Sequence, residues 1–145
     1  MIFAALAAGA FAGIILLFFA HVAPSIGAGN FIRDLDQPRL FGKDLSRREA
    51  HFLGALLHLV LSAVFGGVYA YFVSISVFAD FGVLPLLGWS VVITLFTGGI
   101  ILPLEGHGLF GVKEDAWFPV DLILTSAAWA VLFWWMMRLW PNAIS

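Results

Sequence analysis

The stretch GALLHLVLSAVFGGVYA, from Gly54 to Ala70, decides the fold class. It carries no charged residue, and the uncharged run around it extends from Ala50 to Ala79. A helix that spans a bilayer needs roughly 20 mainly apolar residues, so the run is long enough. Gly54, His58, Ser62, Gly66 and Ala70 follow one another at intervals of four. Positions four apart are neighbours on a helix surface. The row is therefore a face of small residues, with His58 as one of its rungs.

The same pattern recurs along the chain. Of its 145 residues only 11% are charged, where a soluble domain carries about 25%. Mean hydropathy is +1.02. Further uncharged windows precede Arg33 and separate Asp80 from Glu105 and Asp121 from Arg138. This is an all-α membrane protein with four transmembrane helices in a bundle. The helices cover about 2–23, 47–78, 84–104 and 119–140, with loops at 24–46 and 105–118, all in one polytopic domain. The first span lacks the basic n-region of a cleaved signal and its apolar run is too long for one, so it is a retained helix. Without cysteine there is no disulfide, thiolate metal site or cysteine nucleophile. A net charge of −2 gives no reason to expect nucleic acid as a partner.

Loop 1 holds Arg33, Arg39, Lys43, Arg47 and Arg48, and loop 3 holds Lys113. Arg138 is the one basic residue on the other side. Positive residues in short loops mark the cytoplasmic face. Loops 1 and 3 are thus expected in the cytoplasm of a bacterium, with both termini outside the inner membrane. Loop 1 ends in Ser46-Arg47-Arg48-Glu49, a Ser-x-x-Glu capping box that starts helix 2 before the membrane. Pro119 and Asp121 suit the first turn of helix 4.

Helix 1 ends in PSIGAGNF and helix 3 in PLEGHGLF, both P-x-x-G-x-G-x-F. The turn positions are Pro24, Gly27, Gly29 and Phe31, then Pro103, Gly106, Gly108 and Phe110. Two hairpins related by a pseudo-two-fold along the membrane normal are the simplest reading, as in parallel transporter repeats. The mechanical role of such a turn is to end a helix, with proline closing the regular part and glycines allowing positive φ. The alternative is an anion cradle of glycine amides, against which stands the negative end of the helix dipole.

Close approach through small residues replaces the hydrophobic drive between helices in lipid. Gly9, Gly13, Gly54, Ser62, Gly66 and Gly98 are the expected packing positions. A step of four residues drifts by about 40°, so five rungs cannot all face one seam, and His58, Ser62 and Gly66 form its middle. The ionisable side chains His21, His51, His58, Glu105, His107 and Asp121 fall in the cytoplasmic half. They are the candidate polar site. An ionisable residue inside the membrane is a functional hypothesis by default; its bland counterpart is a neutral imidazole bonded to a backbone carbonyl. His21 and His58 are the pair that could ligate a bis-histidine haem. His51, His58 and His107 with a carboxylate could hold a metal, though no H-x-x-E-H or H-x-x-H spacing is present. No metal site or cofactor is assigned. Ser62, Ser90 and Thr94 belong to no acid–base constellation.

HLVLSAVFGGVYA, LLGWSVV and LPLEGHGLFG together resemble the YagU-like and related small bacterial inner-membrane protein families of unknown function. The resemblance covers Gly54 to Gly111 and marks His58, Gly66, Pro103, Gly106, Gly108 and Phe110 as motif positions without assigned roles. It implies a multi-pass plasma-membrane protein. The expected function is a non-enzymatic accessory or interaction subunit, partnered by lipid, a second copy or another membrane subunit. The alternative is cofactor, metal or proton handling by the histidine cluster.

Overall fold

The computed structural model describes residues 1–22, 39–40, 43–44, 46–113 and 116–140. The side chains of His21 and His51 lie outside the described set, as do all of Pro24, Gly27, Gly29 and Phe31. Four helices are long and apolar enough to cross a membrane. They are α1 (Ile2–Val22), α2 (Arg47–Ser74), α3 (Val83–Leu104) and α4 (Phe118–Leu139). Between α1 and α2 a two-residue antiparallel pair, β1 (Arg39–Leu40) and β2 (Lys43–Asp44), joins Arg39 to Asp44 and Leu40 to Lys43. The outward faces are apolar, with Phe3 88% and Leu84 77% exposed, as surfaces that meet lipid must be.

Each helix end has a local cause. Ser46 caps α2 through a complete capping box: its hydroxyl accepts from the Glu49 N–H, and the Glu49 carboxylate accepts from the Ser46 N–H at 3.0 Å. The other end of α2 falls at Ser74, four residues short of the expected 78. There Val77 N–H reaches the Phe72 carbonyl and Ser76 N–H reaches that of Val73. This is a Schellman closure, and it places Ser76 at φ 61, in the left-handed region. The apolar, uncharged run on which the bound at 78 rests does not register a stop made by a serine.

Inside α3 the segment Thr97–Ile101 is a π-helical turn, in which Leu102 N–H donates to the Thr97 carbonyl five residues back. Pro103 accounts for it. Its ring would collide with the carbonyl four residues earlier, and it has no N–H to donate. The widened turn absorbs that clash upstream, so the helix runs on past the proline to Leu104. What stops it is Gly106, at φ 89, again through a Schellman closure: His107 N–H to Leu102 and Gly106 N–H to Pro103. Pro103 is thus not the terminator that the motif suggested.

α1 packs against α2 and α4, and α3 packs against α4. The α1–α2 seam is built on the small residues. A Cβ added to Gly9 would meet the Ser62 backbone carbonyl, and one on Gly66 would meet that of Ala5. One on Gly13 would lie 2.7 Å from Ser62 Oγ. Each step of four along α1 is a step of four back along α2. Gly54 has dropped out of the seam, with nothing within 4 Å of an added Cβ, because the drift of about 40° per step carries it away. Gly98 packs against the following turn: its missing side chain makes room for the Phe110 ring. The correction at Gly54 concerns a packing position that sequence spacing alone had included.

Aromatic rings bridge α2 to α3. Tyr69, fully buried, stacks on Phe78 at 4.9 Å and meets Phe81, Trp89 and Phe133 at 5.6, 6.0 and 6.2 Å. Its hydroxyl donates to the Asp80 carbonyl at 2.9 Å, which ties the α2–α3 connection to the core. The Asp80 carboxylate in turn accepts from the Gly82 N–H at 2.7 Å, just ahead of α3.

Candidate functional site

The candidate polar residues gather at one end of the bundle, where α1 and α3 finish and α2 and α4 begin. They do not form one site. His58 lies in the α1–α2 seam, with the Gly13 carbonyl as the hydrogen-bond partner of its imidazole. Its buried Nε2 has no partner among the described residues. His58 thus faces α1, with the Gly13 carbonyl beside its imidazole.

The seam register also separates the histidines. Gly13 stands at the level of His58, so the same antiparallel register puts the His21 backbone at the level of Ala50 and His51. His21 is eight residues beyond Gly13, about 12 Å along the axis. The matched depth that a bis-histidine haem requires of His21 and His58 is not met. Among the described residues no three His, Asp or Glu side chains group closely enough to hold a metal ion.

Glu105 and His107 do come together. Both are buried, at 9% and 3% exposure, and they interact electrostatically. Glu105 is the capping residue of α3 and His107 closes the Schellman bond two residues later. Burial pushes the Glu105 carboxyl above the ordinary carboxylate range, and the His107 imidazole partly opposes this. Asp121 occupies the first turn of α4, half-buried, with its N–H on the Trp117 carbonyl.

Beyond Glu105 the turn is unusually constrained. Gly106, Gly108, Phe110 and Gly111 all have positive φ. The Phe110 ring fills the notch left by Gly98, and the Phe118 ring fills the one left by Gly111. Of the turn motif, Gly106, Gly108 and Phe110 therefore have mechanical work, while the first copy lies outside the described residues.

Sequence reasoning missed Tyr69 and Ser76. Tyr71, two residues on, is half-exposed, and nothing in GGVYAYF tells the two tyrosines apart. Only the faces of a helix, roughly 200° apart for neighbours at that spacing, separate them. No protein-family model, no curated protein and no solved structure matches the chain.

Proposed function

We propose that this chain is a bacterial inner-membrane protein that serves as a non-enzymatic accessory or interaction subunit, alone in its bundle or self-associated. The observation that carries the reading is how the interior is used. Glycine, alanine and serine fill the α1–α2 seam, and aromatic rings fill the space between α2, α3 and α4. The buried hydroxyls of Ser90 and Thr94 bond to carbonyls of their own helix, Leu87 and Ser90. Side chains spent on packing are those of a scaffold. The resemblance to YagU-like proteins fits the same reading, and the lysine and arginine asymmetry supports cytoplasmic placement of the 24–46 and 105–118 loops.

Extraction in mild detergent followed by mass spectrometry of co-purifying chains tests the role. The expected result is a defined complex with a second copy or another membrane subunit. A complex that assembles normally with every His58 substitution, yet loses transport or redox activity, would overturn it in favour of cofactor or proton handling. A visible absorption spectrum of the same sample checks the haem version, which predicts a Soret band.

A further inference from the structure

The turn after α3 has three features that an accessory role does not use. Glu105 is a buried carboxyl at a helix C-terminus, where unpaired carbonyls already concentrate partial negative charge. Phe110 is a non-glycine residue held at φ 52 and ψ 22, a left-handed conformation that a Cβ disfavours. Its ring is seated on Gly98, in the π-helical turn that Pro103 imposes. Turn and distorted helix therefore hold each other in place.

We propose that Glu105 is a proton-operated catch: the neutral carboxyl lets the turn close with Phe110 seated on Gly98, and loss of the proton releases it. The physical reason is charge burial. A carboxylate without water or a hydrogen-bond donor is strongly disfavoured, and here it would also face the negative end of α3. Burial is the largest influence on this carboxyl, and the His107 imidazole beside it only partly offsets that burial. Water reaches it when the capping residue swings outward. That movement breaks the His107-to-Leu102 and Gly106-to-Pro103 bonds and lifts the segment that carries Phe110.

The charged and titratable groups of the packed elements are His107 and Lys113 in the turn and Asp121 in α4. The stem of Lys113 lies against Gly108. Of these, the His107 imidazole is the one that favours the carboxylate. Glu114 and Asp115, and the side chains of His21 and His51 at the same end, lie outside the described residues. The closed turn holds the extra proton, so its stability is complete below the ordinary glutamate value and falls as pH rises through the raised one. Within that window the opening constant grows about tenfold per pH unit.

Amide hydrogen exchange of the full chain in nanodiscs, followed by mass spectrometry across pH, tests the catch. After correction for intrinsic exchange, peptides covering 102–111 should open about tenfold faster per pH unit within the window. Glu105→Gln should remain protected throughout, and Phe110→Ala should remain unprotected throughout. A flat wild-type profile, or the same slope in wild type and Glu105→Gln, would overturn the proposal. Should Glu105→Gln fail to fold, His107→Gln decides. The slope must survive with its midpoint moved upward, and a lost slope assigns the proton to His107 and overturns the catch.

Discussion

Ser76 shows how much a single residue can matter at a helix end. It occupies the position that Gly106 fills in the equivalent closure of α3, but with a Cβ in the left-handed region. Ser76→Gly should therefore stabilise the protein by about 1 kcal/mol, read as a raised midpoint in thermal unfolding in detergent. Glu49 makes a pH-dependent contribution of the opposite sign to that of Glu105. Its hydrogen bonds with the Ser46 side chain and backbone hold the carboxyl below the ordinary value. The capping box is then intact above the ordinary glutamate value and is lost as pH falls through the lowered one. Hydrogen exchange over 47–50 should show the first turn of α2 fraying in acid, and Ser46→Ala should show that fraying already at neutral pH.

At the scale of elements, the α1–α2 seam and the π-helical turn of α3 carry the load. Neither Gly9 nor Gly66 can accept a side chain, because the obstacle is backbone carbonyl of the facing helix rather than a flexible side chain. Gly9→Val and Gly66→Val should each destabilise by about 1–3 kcal/mol or more, the usual cost of overpacking. Gly54→Ala, in open space at the exposed end of the same row, should stay within about 0.5 kcal/mol. Chemical unfolding of the three variants in one detergent makes the comparison. Equal losses at Gly54 and Gly9 would mean that the seam runs the full length of the row.

For the whole molecule, the testable quantity is sidedness. The chain has no native cysteine, so single cysteines report access without background. Lys113→Cys should react with a membrane-impermeant maleimide only after the cytoplasmic side is opened. Ser76→Cys, in the α2–α3 connection, should react in intact cells. The reverse pattern would invert the orientation. Stability at this scale rests on the ring cluster. Phe133 is fully buried against Trp129, Tyr69 and Gly66, and Phe133→Ala should cost about 3–5 kcal/mol.

The sequence by itself determined the four spans, because apolar length is a property of composition and a bilayer demands nothing subtler. It also determined the Ser46–Glu49 cap, which depends on residues three apart. The middle of the glycine row was legible too, since helical drift alone selects His58, Ser62 and Gly66. Only the tertiary structure decided which rungs meet a partner, because Gly54 and Ser62 look alike in spacing and differ only in what stands opposite. It separated His58 from His21, as depth across a seam depends on register between two helices. It replaced Pro103 by Gly106 as the end of α3, because a proline clash can be absorbed upstream in a wider turn. And it brought Glu105, His107, Phe110 and Gly98 to one place, through a chain reversal whose positive-φ residues include a phenylalanine that no local preference would have put there.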